Sequence, residues 1–222
     1  MRPLHRFVRT ALFAAVLATS THAIAHETTV VVNGTIFANA AGTSVDWWEI
    51  EMEQAGTLTV DVLAYESTDN TPANGQDLNG DGEITFLDPD TSLYRIDGVL
   101  DAGDYLLRCD DVGNSNGVCS ATLGSGDGSI HTRDPIFSID LLPGRYLYIV
   151  GDYRTTIDEG IARLNAGDSI RNGGDHGDYR ITFESTGHMS VAAVPEPATN
   201  ALLVAGVLLL GSVVGRRKSA SA

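Results

Sequence analysis

An acidic segment at residues 77–88 has the residue types and the spacing to hold a hard cation. Its first, third, fifth, seventh, ninth and twelfth positions carry oxygen donors, with a backbone carbonyl at the seventh. The residues at those positions are Asp77, Asn79, Asp81, Glu83, Thr85 and Asp88. Gly82 stands at the sixth position, where such a loop turns sharply. Because Ca²⁺ accepts six to eight oxygen ligands in flexible geometry, the pattern predicts a calcium site.

The segment resembles the calcium loop of EF-hand proteins, in the dockerin-like form that ends in Asp rather than Glu. Ile84, at the eighth position, is expected to pack inward. Pro89 prevents a normal exiting helix, and residues 71–75 are a poor entering helix. We therefore expect a lone loop that acts as a structural clip. The alternative is an acidic, glycine-rich surface loop that binds no metal.

Two smaller groups could also bind a metal or transfer protons. Asp110 and Asp111 could form a second acidic site, and His176 stands between two aspartates in a glycine-rich loop. The expected partners of the acidic pair are Asp97, Asp101 or Asp104. Solvated loop side chains are the alternative in both cases. The sequence contains no paired-histidine zinc motif, no Gly-x-Ser-x-Gly elbow and no phosphate-binding loop.

The first 25 residues have the three parts of a secretory signal peptide: a basic region, a short apolar region and a small-x-small cleavage pattern. The parts are Arg2, Arg6 and Arg9; residues 11–18; and Ala23 with Ala25. The apolar region is too short for a comfortable membrane span, so cleavage after residue 25 is predicted. An uncleaved anchor is the alternative.

The C-terminal residues 195–222 combine a Pro-Glu-Pro triplet, an apolar run and a basic tail. These are Pro195, Glu196 and Pro197; residues 198–215; and Arg216, Arg217 and Lys218. Eighteen helical residues reach about 27 Å, enough to cross the hydrocarbon core of a bilayer. A single transmembrane helix is therefore predicted, with the basic tail in the cytoplasm and the preceding domain outside the inner membrane.

This tripartite tail resembles the PEP-CTERM sorting signal of Gram-negative bacteria. The resemblance implies that an exosortase in the inner membrane cuts near the triplet and releases or transfers the protein outward. The membrane is then a transient partner, and the processed protein belongs to the cell surface or the medium. The alternative is an ordinary single-pass anchor.

Residues 26–194 form one expected domain with an extreme charge. They hold eight of the 14 basic and 28 of the 29 acidic residues, so their formal net charge is −20, and every cation among them is Arg. Such a surface repels nucleic acid and attracts divalent cations. A nucleic-acid partner is therefore excluded.

Cys109 and Cys119 are the only cysteines of the chain, and both lie in the part expected to be exported. An even number of cysteines in an oxidising compartment predicts a disulfide, which would close a short loop. A catalytic thiol is the alternative, although no histidine and asparagine arrangement near either cysteine supports it.

The exported part has no sustained helical period and several segments of strand composition bounded by turn residues. The expected strands are residues 28–37, 46–53, 57–64, 92–96, 105–108, 136–141, 145–150 and 179–184. Asn33 and Gly34 could split the first into two strands around a turn. One short helix is expected at residues 156–165. The pattern predicts an all-β domain, an antiparallel β-sandwich or jelly roll.

Four ordered blocks of this part resemble a bacterial pre-peptidase C-terminal (PPC) domain. The blocks are residues 46–60, 90–98, 142–148 and 177–183. The resemblance implies a β-sandwich of the kind that is appended to secreted proteins. Relative to the small PPC pattern, the chain has an insertion at residues 70–88, which holds the calcium-loop-like motif, and an expanded connection at residues 120–134.

Together these features predict an exported, non-enzymatic protein of the cell surface or extracellular matrix. The sorting route implies a link to exopolysaccharide and biofilm. A calcium-dependent carbohydrate-binding module is the alternative, with Trp47 and Trp48 as a possible sugar platform. Adjacent strand residues face opposite sides, however, so at least one indole is expected in the core. A hydrolase with an acidic site is a third, weaker interpretation.

Overall fold

The computed structural model describes residues 27–64, 77–113, 119–120, 129, 131–171 and 173–195. The described residues contain eleven β-strands, one α-helix and one short 3₁₀ helix. The strands are β1 (Thr28–Asn39), β2 (Gly42–Ser44), β3 (Asp46–Met52), β4 (Gly56–Leu63), β5 (Asp90–Ile96), β6 (Tyr105–Cys109), β7 (Ile136–Leu141), β8 (Gly144–Gly151), β9 (Leu164–Ala166), β10 (His176–Ser185) and β11 (Met189–Ala193). The helices are α1 (Ile157–Ala162) and the 3₁₀ helix (Ala102–Asp104).

The strands form two antiparallel sheets. One has six strands in the order β7-β4-β10-β1-β2-β9, and the other has five in the order β11-β3-β8-β5-β6. The prediction of an all-β antiparallel sandwich is confirmed. The expected signal peptide and the apolar run at residues 198–215 lie outside the described residues. Within the described ranges, no helix has the length and apolar character to cross a membrane.

Alternating apolar residues on the strands build the main core. Val60 of β4 and Ile181 of β10 are fully buried. The polar residues that alternate with the buried ones along each strand face outward. Phe183 of β10 meets Tyr148 of β8 edge to face, with ring centroids 5.5 Å apart, so this contact joins the two sheets. Burying such aromatic side chains contributes a large share of the hydrophobic stabilisation.

A smaller core lies on the other face of the five-stranded sheet, beneath α1. Trp47 and Ile157 pack there against a buried cluster of Val45, Tyr94, Leu147 and Ile149. The helix begins at a capping box, in which Thr156 and Glu159 satisfy each other's backbone amides. It ends at Arg163, whose φ of 60° is left-handed. The helix is therefore shorter than predicted, because the chain turns at Arg163 and continues as β9.

The predicted turn at Asn33 and Gly34 is wrong, because β1 runs unbroken through both residues. Gly34 is directly opposite Tyr179 of β10. A β-carbon at Gly34 would lie 2.2 Å from the Tyr179 hydroxyl. Glycine is thus required here for the close approach of a ring, not for a change of chain direction.

The predicted disulfide between Cys109 and Cys119 is confirmed. It joins the end of β6 to a residue that pairs with Phe137 at the edge of the other sheet. Nearby, the Gly113 amide donates to the Ser120 carbonyl at 2.6 Å. The bond therefore links the two sheets at one end of the sandwich.

Candidate functional site

The acidic loop of residues 77–88 turns where the sequence pattern requires it. Gly80 and Gly82 have φ values of 83° and 92°, a region that residues with side chains rarely adopt. Leu78 is buried and anchors the start of the loop. Ile84 is 39% exposed, so the expectation that it packs inward is wrong. The inward apolar contact comes from the second position of the loop instead of the eighth.

In the first half of the loop, side-chain oxygen atoms accept hydrogen bonds from backbone amides of the same loop. The two carboxylate oxygens of Asp77 accept the amides of Gly80 at 2.6 Å and Gly82 at 3.0 Å. Asn79 Oδ1 accepts the Asp81 amide at 3.0 Å, and Asp81 Oδ1 accepts the Glu83 amide at 2.9 Å. These short-range bonds fix the side-chain oxygens of the first, third and fifth positions on a turned backbone.

Asp178 of β10 completes the group, although sequence spacing did not select it. Its side chain accepts hydrogen bonds from Asn79 Nδ2 at 2.9 Å, Thr85 Oγ1 at 2.9 Å and Thr35 Oγ1 at 2.7 Å. Asp178 is only 2% exposed. The Asp178 amide in turn donates to Thr85 Oγ1 at 2.7 Å. A buried carboxylate of the sandwich thus binds the third and ninth positions of the loop.

His176 of β10 lies at the same place. One potential ligand atom from each of Asp81, His176 and Asp178 lies within 4.8 Å of the other two. The imidazole is also 3.3 Å from Glu83 through Nε2 and 2.7 Å from Asp175 through Nδ1. The hydrogen bond to Asp175 and the surrounding carboxylates raise the pKa of His176.

Asp88, the predicted twelfth-position ligand, belongs to a different group. Its Oδ2 accepts a hydrogen bond from Arg133 Nη1 at 2.7 Å, and its amide donates to Asp152 at 3.2 Å. The structure groups Asp88 with Asp110 and Asp111, not with Asp81. Burial raises the pKa of Asp88 to about 6. Of the predicted donors, Asp77, Asn79, Asp81 and Thr85 are therefore connected by hydrogen bonds within the loop or to Asp178, whereas Asp88 lies in another group.

Trp47 and Trp48 are half-buried, and the indole nitrogen of each donates a hydrogen bond. Trp47 Nε1 donates to the Gly160 carbonyl at 2.9 Å, and Trp48 Nε1 donates to the Tyr179 hydroxyl at 2.9 Å. Their rings pack against the two core clusters on opposite faces of β3. Both indoles therefore serve the fold, and neither is fully exposed.

The last described residues are held against the folded domain. The Arg163 guanidinium lies 4.5 Å from the centre of the Trp47 ring and donates to the carbonyls of Val194 and Pro195, the latter at 2.8 Å. The Val194 amide donates to the Trp47 carbonyl at 2.9 Å. Pro195 is thus fixed on the domain surface. The other sorting-signal residues, Glu196, Pro197, Arg216, Arg217 and Lys218, lie outside the described residues.

Comparison with known proteins supports the assignment of this terminus. Residues 193–218 match the family model of the PEP-CTERM protein-sorting motif. The chain is also similar to the crystal structure of a pre-peptidase C-terminal domain of collagenase from Bacillus anthracis. That likeness has 12% sequence identity and a TM-score of 0.35, and it covers 74% of this chain and 89% of the other. No curated protein matches the chain. The chain therefore carries a PEP-CTERM protein-sorting motif, the recognition signal for exosortase, and is an exported protein.

Proposed function

We propose that this chain is a non-enzymatic β-sandwich protein of the cell surface or extracellular matrix, matured at both ends during export. The sorting motif at residues 193–218 is the observation that carries the proposal. The disulfide and the net charge of −20 over residues 26–194 suit an oxidising, extracellular setting. The same proposal includes a role beside exopolysaccharide in biofilm, because the sorting route implies that link.

Processing predicts a specific mass for the protein from its native host. The mature chain should lack residues 1–25 and most of residues 196–222, and the two cysteines should weigh two hydrogens less than in reduced protein. Intact mass spectrometry measures all three changes together. In cells that lack exosortase, and in a variant with Pro195, Glu196 and Pro197 all replaced by Ala, the C-terminal segment should remain attached. A wild-type protein that keeps its complete C-terminus would refute the proposal.

We also propose that the acidic loop binds Ca²⁺, with Asp178 in the place predicted for Asp88. The side-chain oxygens of Asp77, Asn79 and Asp81 are held on one turned backbone, and Asp178 hydrogen-bonds to Asn79. An oxygen-rich donor set is the one that Ca²⁺ prefers. In this role the ion clips the inserted loop to β10, and no chemical step is assigned to it.

Calorimetric titration of the chain in mild detergent tests the loop. We expect Ca²⁺ binding in the range of about 0.1–1 mM, typical of extracellular modules. The variant Asp81→Asn/Asp178→Asn should lose this binding. The variant Asp97→Asn/Asp158→Asn removes the same formal charge elsewhere and should retain it. Equal calcium affinity in the wild type and the loop variant would contradict the assignment.

A further inference from the structure

The pairing of β5 with β6 brings three carboxylates together at one end of the five-stranded sheet. Thr91 is opposite Cys109 in this antiparallel pair. Residues that precede Thr91 therefore meet residues that follow Cys109. Asp88 accordingly lies beside Asp110 and Asp111, and one ligand atom from each carboxylate lies within 4.8 Å of the other two. Asp97, Asp101 and Asp104, the partners expected from the sequence for Asp110 and Asp111, adjoin the opposite ends of these strands.

One oxygen of each carboxylate has no hydrogen-bond partner among the described residues. The Oδ1 atoms of Asp88, Asp110 and Asp111 are shielded from solvent and make no hydrogen bond within the described part of the chain. Asp88 as a whole is only 3% exposed. Buried polar atoms are almost always hydrogen-bonded, so three unpartnered carboxylate oxygens in one cluster require an explanation.

The neighbouring arginines do not provide it, because those that contact Asp88 and Asp110 reach the other oxygen of each carboxylate. Arg133 Nη1 lies 2.7 Å from Asp88 Oδ2, and Arg108 Nη2 lies 3.7 Å from Asp110 Oδ2. Arg108 is also the bidentate partner of the buried Asp90. Arg171 Nε also lies 3.7 Å from Asp88 Oδ2, so two arginines pair with Asp88. Arg108 is shared with Asp90, and the cluster keeps a net negative charge that a divalent cation would reduce.

The donor atoms indicate which cation fits. All three are carboxylate oxygens, which favours a hard ion. Ca²⁺ accepts six to eight oxygen ligands in flexible geometry, whereas Mg²⁺ demands a near-ideal octahedron and keeps several of its waters. Three carboxylates from two separate segments therefore suit Ca²⁺ better than Mg²⁺.

We propose that Asp88, Asp110 and Asp111 form a calcium site separate from the loop of residues 77–85. The site adjoins the disulfide, because Asp110 directly follows Cys109. A bound ion would join the start of β5 to the segment after β6. The disulfide joins Cys109, the residue directly before that segment, to Cys119. Ion and disulfide then reinforce one end of the sandwich once the chain has reached a calcium-containing, oxidising exterior.

Calcium titration of the chain in mild detergent tests the site independently of the loop. The variant Asp110→Asn/Asp111→Asn should lose one binding event, or bind it at least roughly tenfold more weakly. The variant Asp81→Asn/Asp178→Asn should retain that event even if the loop binds nothing. The charge-matched variant Asp97→Asn/Asp158→Asn should behave like the wild type. Unchanged calcium binding in Asp110→Asn/Asp111→Asn would overturn the proposal.

Thermal unfolding followed by circular dichroism gives a second readout and checks the fold. In EDTA, Asp110→Asn/Asp111→Asn should melt no lower than the wild type, because it removes two mutually repelling carboxylates. Calcium should then raise its melting temperature less than it raises that of the wild type. If the double variant does not fold, the single variant Asp111→Asn is measured in the same way. An equal calcium-induced rise in the folded variant and the wild type would show that the cluster binds no ion.

Discussion

Replacing Gly34 by Ala should destabilise the folded domain by about 3 kcal/mol, since it combines overpacking with the loss of buried hydrogen bonds. The new β-carbon would lie 2.2 Å from the Tyr179 hydroxyl and 2.3 Å from its Cζ. The ring cannot swing away, because Tyr179 is fully buried. Its hydroxyl also donates to Asp46 at 2.6 Å and accepts from Trp48 at 2.9 Å. Chemical denaturation with urea measures the change.

A second glycine provides a matched control for this prediction. Gly98→Ala should change the stability by less than about 0.5 kcal/mol, because a β-carbon added there, on the exposed turn after β5, would have no atom within 4 Å. A double-mutant cycle isolates the cause. In the background Tyr179→Ala, where the ring is absent, Gly34→Ala should cost much less than in the wild type. Equal costs in both backgrounds would show that the ring is not the obstacle.

Removing the disulfide should destabilise the domain by about 2–3 kcal/mol, and lower its melting temperature by roughly 5–10 °C. The bond closes a loop between residues ten positions apart, and both sulfur atoms belong to the main core. The double variant Cys109→Ala/Cys119→Ala leaves an unconstrained connection between the two sheets at this end. Thermal unfolding followed by near-ultraviolet circular dichroism measures the shift.

The reducing agent dithiothreitol supplies the control. It should lower the melting temperature of the wild type toward that of the double variant and leave the double variant unchanged. The single variant Cys119→Ala retains one thiol and should resemble the double variant in stability. A wild type whose melting temperature equals that of the double variant under oxidising conditions would disprove a stabilising role for the bond.

The long strands are predictable because their side chains alternate in polarity. β4 buries every second residue over residues 58–62, and β10 does so over residues 179–185, which the sequence pattern shows directly. The strands β2 and β9 have only three residues each, too few for alternation to be visible. The sequence of β1 suggests two strands instead of one, because Asn33-Gly34 is also a favoured turn pair. Only the long-range contact with Tyr179 distinguishes the two roles of that glycine.

The candidate site is predictable only where it is local. The spacing of Asp77, Asn79, Asp81 and Gly82 within one loop is visible in the sequence, and so is the turn at the sixth position. The contact of Asp178 with this loop is not visible, and neither is the place of Asp88 in another group, because residues so far apart in the sequence are brought together only by the folding of the sheets. In the same way, the group of Asp88, Asp110 and Asp111 follows from the register of β5 and β6.

If residues 198–215 cross the membrane as the sequence predicts, the contact of Arg163 with Pro195 limits how far the folded body can stand from the lipid before processing. Only Glu196 and Pro197 separate the fixed Pro195 from the apolar run that starts at Ala198. Three virtual bonds of about 3.8 Å give a tether of at most about 11 Å. This is close to one Debye length, about 8–10 Å in physiological salt. Under the proposed processing route, a body with a net charge of −20 over residues 26–194 would be tethered where repulsion by anionic headgroups is still incompletely screened. Cutting the tether would then let that repulsion move the protein away from the membrane, so the cut would favour departure over return.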